Sequence, residues 1–205
     1  FQSDPDLIIA LIAGGDSALR KSSEAAEDDP EGATDVLREL SLNAKDTVVG
    51  IAAGGTTPWV IGGLHFSKEQ GAMTCILTCA DVEGGFDHTI VLKTGPEPLT
   101  GSTRLKAGTA TKLTLNIITT TLFTKLGKVY GNMMVDLRAT NNKLQDRAIR
   151  IVCDVCELDR DAAADLLEQS ESNVKLAIIM HTCNTDCESA KQKLEEAGGM
   201  LRTAL

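Results

Sequence analysis

The chain has few aromatic residues and no apolar run approaching the roughly 18 residues that a membrane-spanning helix requires. Aromatic side chains make up only 3% of the 205 residues, so leucine, isoleucine, valine, alanine and methionine must build the core. We find no secretory signal peptide, internal repeat or low-complexity tract. The hydrophobic content of 42% is typical of a soluble globular protein, with one large domain or one domain and an appendage.

Basic residues are also scarce relative to acidic ones. The chain has 20 lysines and arginines against 29 aspartates and glutamates, which gives a net charge of −9 at pH 7. This balance argues against broad binding of nucleic acid or of an anionic membrane. A local group of basic residues is therefore more informative here than it would be in a basic protein.

The sequence around the six cysteines does not have the features expected of a metal site or a disulfide framework. Cys153 and Cys156 are separated by two residues, and Cys183 and Cys187 by three, with His181 nearby; both spacings would suit zinc. Both pairs fall in helical patterns, where cysteine is often a small buried hydrophobe, and no glycine-rich knuckle accompanies them. Without a secretory signal, disulfides are not expected. We predict reduced thiols and no bound metal.

The first half of the chain has an α/β pattern. Residues 7–12 form a continuous apolar run of the kind that makes a buried strand in a parallel sheet. Asp16 or Ser17 is expected to cap a helix that reaches about Glu27, and a second helix ends near Leu40. Further strands are predicted at residues 46–53, 73–78 and 89–92.

A glycine and hydroxyl turn follows the strand at residues 46–53 and leads into a helix over residues 59–70. Open α/β sheets present ligands in this way, beyond the carboxyl end of a strand and opposite a helix N-terminus. The alternative is a tight turn that needs only the conformational freedom of glycine. The four candidate phosphate-binding residues of this turn are Gly54, Gly55, Thr56 and Thr57.

Residues 101–109 are a second candidate anion site. Ser102 or Thr103 can cap a helix that continues to about residue 125, and Arg104 and Lys106 lie within one turn of its start. Free amides, the positive end of the helix dipole and two cations favour a bound anion, of which phosphate is the most probable. The alternative is an ordinary capped helix with solvated basic residues, and the residues alone support the two interpretations equally.

The second half of the chain is helical. The helix that ends near residue 125 is apolar on more than one face, so we expect it to be buried in the domain or in a subunit interface. A helix over residues 140–155 follows. Asp159, Ser172 or Asn173, and Asp186 then start three short helices, which predict a small helical module. We therefore divide the chain into domains at residues 1–155 and 156–205.

Five segments occur together in a fixed order that resembles one family. They are residues 10–15 (ALIAGG), 24–29 (EAAEDD), 50–53 (GIAA), 101–109 (GSTRLKAGT) and 126–136 (LGKVYGNMMVD). Together they resemble the N-acetylmuramic acid 6-phosphate etherases, which are phosphosugar proteins of the sugar isomerase (SIS) type related to the animal glucokinase regulatory protein. The resemblance covers essentially the whole chain.

This resemblance implies a cytoplasmic homodimer with a flavodoxin-like α/β/α fold, a mostly parallel sheet and a C-terminal helical module. It implies a carbon–oxygen lyase that removes D-lactate from N-acetylmuramic acid 6-phosphate and leaves N-acetylglucosamine 6-phosphate, in cell-wall sugar recycling. The reaction is an elimination followed by addition of water and needs no metal or redox cofactor. One glutamate of the family acts as general acid and another as base, and the base carried over to this sequence is Glu27. Acidic neighbours suit a base, although the segment by itself also fits a solvated helix end.

The sequence departs from the family pattern at two main places. The family's upstream segment, with a glycine-rich phosphate loop and the other catalytic glutamate, is expected before Phe1. Gly54 stands where the family has a serine. These departures leave three hypotheses: an etherase-type lyase, a phosphosugar-sensing regulator without turnover like the glucokinase regulatory protein, and a fragment whose role is protein association.

Overall fold

The computed structural model describes residues 3–21, 23–137, 139 and 141–205. The chain divides into two compact units, one formed by Ile8–Asn116 and the other by Ile117–Leu205 with the first seven residues. Within the described residues, no helix has both the length and the hydropathy needed to span a bilayer.

The unit Ile8–Asn116 contains a parallel sheet. Its helices and strands are α1 (Thr34–Glu39), β1 (Thr47–Ile51), α2 (Pro58–Glu69), β2 (Met73–Thr78), β3 (His88–Val91) and the first half of α3 (Lys106–Lys125). The strand order is β1-β2-β3, with Val49 opposite Cys75 and Leu77 opposite Ile90. The central strand is the most buried, because Ile76 and Leu77 are 0% and 1% exposed. The three strands predicted after residue 45 are therefore confirmed.

The strand predicted at residues 7–12 is wrong. Pro5–Leu7 is a short 3₁₀ helix, and residues 8–12 do not form a strand. Leu7, Ile8, Ile9 and Ile12 are all between 41% and 51% exposed. An apolar run becomes a strand only when a neighbouring strand completes its hydrogen bonds, and β2 is the only strand paired with β1 among the described residues.

The helix predicted from Asp16 or Ser17 to Glu27 is also wrong. The structure has two 3₁₀ helices there, Gly15–Leu19 and Glu24–Asp28. The Ser17 hydroxyl donates to the Gly14 carbonyl at 2.8 Å, and no side chain caps the first of these helices. Hydroxyl side chains that bond to nearby backbone in this way compete with regular helix formation.

The second unit is a hairpin followed by packed helices. Its elements after α3 are β4 (Val129–Tyr130), β5 (Met133–Met134), α4 (Asn142–Cys156), α5 (Arg160–Gln169), α6 (Val174–Cys183), α7 (Cys187–Glu196) and α8 (Leu201–Ala204). The two strands pair antiparallel. Helix α6 lies at the centre, since Ala177, Ile178 and Ile179 are 0% exposed.

Capping residues mark the starts of α5, α6 and α7, as predicted. The side chain of Asp159 accepts a hydrogen bond from the Ala162 amide at 2.9 Å, and the side chain of Asp186 accepts one from the Ser189 amide at 2.8 Å. Asn173, rather than its neighbour Ser172, caps α6. Helix α4 packs against α5 and α6, while the domain boundary at residues 155 and 156 stays a prediction.

Helix α3 is the longest helix among the described residues, and several of its apolar side chains are exposed although Phe123 is buried. Leu113 is 50% exposed, Ile117 is 67% exposed and Leu126, just beyond the helix, is 44% exposed. The prediction that these three residues are buried in the domain is therefore wrong. The other expectation, burial in a subunit interface, stays a prediction.

Candidate functional site

The turn after β1 is fixed to the end of β2 by backbone hydrogen bonds. The Gly55 amide donates to the Ala52 carbonyl at 3.0 Å. The Ala53 carbonyl accepts from the Cys79 amide at 2.9 Å and from the Thr78 hydroxyl at 3.2 Å. The turn is therefore held at the carboxyl end of the parallel sheet, where the sequence predicts a ligand site.

The two glycines of this turn have different roles. Gly55 is buried and has a φ of 73°, and a Cβ at this position would collide with Val82. Only glycine fits there without strain. At Gly54, by contrast, a Cβ would meet only the Thr56 hydroxyl oxygen, at 3.8 Å. The space at Gly54 therefore accommodates a side chain such as the serine of the family pattern.

Helix α2 begins at Pro58, one residue before the predicted start at residue 59. Thr57 precedes the helix and Pro58 is its first residue. The Thr57 carbonyl accepts hydrogen bonds from the Val60 and Ile61 amides, whereas its side chain makes no capping hydrogen bond. Because Thr56 is exposed, hydroxyl groups line the approach to this end of β1.

A groove lies between the end of β1 and the first turns of α3, all within the unit Ile8–Asn116. Its volume is about 420 Å³. Ile51 and Ala53 line the strand side, and Thr103, Thr111 and Lys112 are among the residues that line the helix side. The groove thus combines an apolar wall with hydroxyls and one cation, and Ala53 leads directly into the glycine turn.

The predicted cap of α3 is wrong. The helix begins at Lys106, and its first amides donate to a side chain nine and ten residues upstream. The Lys106 amide lies 2.9 Å from Glu97 Oε2, and the Ala107 amide lies 3.0 Å from Glu97 Oε1. Hydrogen bonds from the Ala107 amide and then from the Lys106 amide lower the pKa of the Glu97 carboxyl. The Glu97 carboxylate therefore accepts the hydrogen bonds of the amides that we expected to bind phosphate.

The side chain of Lys106 is also engaged by the protein. Its Nζ donates to the Pro96 carbonyl at 2.8 Å and to the Thr94 carbonyl at 3.4 Å. Ser102, Thr103 and Arg104, by contrast, line an open depression on the loop before the helix. Of these three predicted residues and Lys106, only Thr103 also lines the groove beside β1.

Glu27 lies in the segment before α1. It is exposed on the 3₁₀ helix Glu24–Asp28, which packs against α2. The chain that follows is held close to α2 as well, because a Cβ at Gly62 would collide with the Pro30 carbonyl. Neither the groove nor the depression has Glu27 in its lining.

The sequence matches the models of two related domains. The glucokinase regulatory protein N-terminal SIS domain matches residues 2–68, and the C-terminal lid domain of glucokinase regulatory protein matches residues 131–175. These matches agree with the observed α/β sheet followed by helices. The predicted SIS-type α/β fold class is confirmed.

Similar proteins of known name cover the chain from end to end. An N-acetylmuramic acid 6-phosphate etherase of Prochlorococcus marinus (strain MIT 9303) is 50% identical over 100% of this chain and 66% of its own length. Etherases of Crocosphaera subtropica and Staphylococcus epidermidis are 49% and 45% identical over 100% of this chain and 68% and 70% of their own lengths. The chain belongs to the N-acetylmuramic acid 6-phosphate etherase family. It spans about two thirds of the length of these relatives.

This etherase-family chain has no cluster of three or more histidine, cysteine or acidic side chains suited to a metal ion in the part that the structure describes. All six cysteines are free thiols. Burial raises the pKa of the Cys75 and Cys156 thiols, with the neighbouring Cys153 contributing at Cys156. The buried thiols therefore act as small apolar side chains, as the sequence predicts.

Sequence reasoning missed three residues at the groove and at the start of α3: Glu97, Thr111 and Lys112. Thr111 and Lys112 lie inside a helix that was predicted correctly, but helical periodicity does not show which polar side chains face the end of a strand. Glu97 follows a proline in a loop, and no local pattern marks such a residue as the cap of a helix that begins nine residues later.

Proposed function

We propose that this chain binds a 6-phosphorylated N-acetyl amino sugar in the groove between β1 and α3. The main support for this proposal is the set of side chains that line the groove, which lies at the carboxyl end of a parallel strand. Ile51 and Ala53 offer an apolar surface for one face of a sugar ring, and Thr103, Thr111 and Lys112 offer hydrogen bonds and one positive charge. The etherases named above act on such a sugar phosphate.

Lys112 is the cation that the groove offers to the phosphate. It is exposed and lines the groove, whereas Lys106 already donates to two backbone carbonyls. The first amides of α3 are unsuited to this role while Glu97 accepts their hydrogen bonds. The hydroxyls of Ser102, Thr56 and Thr57, the backbone of Gly54 and Gly55, and the Arg104 guanidinium remain candidates for further contacts.

The proposed reaction is the removal of D-lactate from N-acetylmuramic acid 6-phosphate. A base takes a proton from the sugar carbon next to the ether carbon, the bond from the ether carbon to the lactyl oxygen breaks, and an acid protonates that oxygen. Water then adds across the sugar double bond and gives N-acetylglucosamine 6-phosphate. By resemblance to the family we propose Glu27 as the base, a reaction without metal or redox cofactor, and a cytoplasmic homodimer as the working form.

A calorimetric titration with N-acetylglucosamine 6-phosphate tests the binding proposal. The parent chain should bind it, and unphosphorylated N-acetylglucosamine should bind far more weakly. Lys112→Met should weaken binding by about 10-fold to 100-fold, the effect of losing one hydrogen bond to a charged group. Lys125→Met is the matched control, because Lys125 lies in the last turn of the same helix. Equal affinities for the two variants, or no binding by the parent chain, would refute the proposed site.

Release of D-lactate from N-acetylmuramic acid 6-phosphate tests the reaction. Glu27→Gln should abolish it, whereas Glu39→Gln, which removes an exposed glutamate of α1, should retain it. Absence of lactate from a chain that is restored at its N-terminus and binds the product sugar would refute turnover. That result would instead support the sensing function, which is favoured by the glycine at position 54 in place of the family serine.

A further inference from the structure

Two reciprocal contacts close the loop between residues 97 and 106. The Glu97 carboxylate accepts hydrogen bonds from the Lys106 and Ala107 amides, at 2.9 and 3.0 Å. In the opposite direction, Lys106 Nζ donates to the carbonyls of Thr94 and Pro96. The segment at residues 94–97 therefore holds the start of α3 through the Glu97 side chain, and the start of α3 holds the same segment through the Lys106 side chain.

The closed loop carries candidate phosphate-binding residues. Ser102, Thr103 and Arg104 lie within it, and Thr103 also lines the groove beside β1. The Thr103 carbonyl accepts a hydrogen bond from the Gly108 amide at 2.8 Å. The place of Thr103 in the groove therefore depends on how the first turn of α3 is held.

The rest of the loop has few internal restraints. The Ser102 amide donates to the Leu99 carbonyl at 3.0 Å, and Gly101 has a φ of 83°. These are contacts between near neighbours in the sequence. Leu99 is 66% exposed, so apolar packing does not hold the loop at that point. Restraint of the loop therefore depends strongly on the Glu97 and Lys106 contacts.

We propose that Glu97 is a positioning residue of the phosphosugar site, an inference that rests on the proposed binding function. Its carboxylate holds the amides of Lys106 and Ala107, and thereby keeps Thr103 and Arg104 at the place where they meet the ligand. Two amides on one carboxylate make charge-assisted hydrogen bonds, which are stronger than bonds between neutral groups. The lowered pKa of Glu97 agrees with this, because the hydrogen bonds favour the charged carboxylate.

Two opposite roles for Glu97 predict opposite changes in ligand affinity when its carboxylate is removed. If the carboxylate were only a competitor for the phosphate, its removal would free the helix amides and relieve charge repulsion, and the ligand would bind more tightly. If Glu97 positions the loop, its removal populates other loop conformations and the ligand binds more weakly.

The experiment compares the parent chain with Glu97→Gln and Glu97→Asp by calorimetric titration with N-acetylglucosamine 6-phosphate. Gln keeps an acceptor oxygen but loses the charge, and we expect binding to weaken by about tenfold, the effect of losing one charge-assisted hydrogen bond. Asp restores the charge on a shorter side chain, so it should recover part of the affinity. Glu83→Gln, in an exposed loop, is the control for a general loss of negative charge and should bind like the parent.

Hydrogen exchange of the Lys106 and Ala107 amides provides a second measurement without ligand. Both amides should exchange faster in Glu97→Gln, while amides of β2 keep the protection of the parent and show that the variant is folded. Unchanged or tighter binding by Glu97→Gln, with a parent chain that does bind, would overturn this inference and leave the proposed function standing. A parent chain that does not bind the sugar phosphate would overturn both.

Discussion

Asp136 holds two lysines in the interior of the helical unit, and its removal should destabilise the chain. Its Oδ2 lies 2.8 Å from Lys128 Nζ and 3.1 Å from Lys175 Nζ. The side chains of Asp136 and Lys175 are only 11% and 5% exposed. Lys175 Nζ also donates to the Gly199 carbonyl at 2.8 Å. One carboxylate therefore neutralises part of the charge of two cations that have limited access to water.

Asp136→Asn tests this arrangement with little change in side-chain volume. The variant leaves Lys175 charged and almost fully buried, next to the second charged lysine. Loss of one partner from a buried ion pair costs about 3–5 kcal/mol, because the remaining charge is left without compensation. Urea unfolding followed by circular dichroism should show this as a lower midpoint with an unchanged slope.

Asp146 provides a matched control. It also contacts two cations, Arg150 and Arg160, but its side chain is 36% exposed. Water compensates the arginines when an exposed aspartate is removed, so Asp146→Asn should lower the midpoint far less. Adding Lys175→Met to Asp136→Asn should recover part of the lost stability, because it removes the uncompensated charge. Equal losses for the two aspartates, or no recovery in the double variant, would refute the reasoning.

The glycine turn and the loop before β3 lead to two further predictions. Gly55→Ala should destabilise the chain by at least about 1–2 kcal/mol in urea unfolding, because alanine is strained in the left-handed backbone conformation at φ 73°. Gly54→Ala, where the space is open, should stay within about 0.5 kcal/mol of the parent. Hydrogen bonds from the Thr74 amide and hydroxyl lower the pKa of Asp87 in the folded chain. This contribution to stability is present above the unfolded pKa and is lost as pH falls through the folded pKa. Asp87→Asn should therefore make the unfolding midpoint less dependent on pH in the acid range. An unchanged pH dependence in that range would contradict this reasoning.

Features encoded by neighbouring residues were predictable from the sequence. The strand Met73–Thr78 follows from a continuous apolar run, and the starts of α5 and α7 follow from Asp159 and Asp186, which bond amides three residues away. The family also follows from the sequence, because five short segments in a fixed order suffice for the resemblance. In each case the information lies within a few residues of the feature that it specifies.

Contacts between residues that are distant in the sequence could be identified only from the tertiary structure. Residues 7–12 have the composition of a strand, but no neighbouring strand is present among the described residues to pair with them. The start of α3 has nearby hydroxyls, yet its amides bond to Glu97 across a loop. Lys112 lines the groove because the fold places the first turns of α3 opposite the end of β1. Local composition determined which segments can form helices and strands, whereas folding decided which charged and polar groups meet, because hydrogen bonds and ion pairs depend on distance in space and not on distance along the chain.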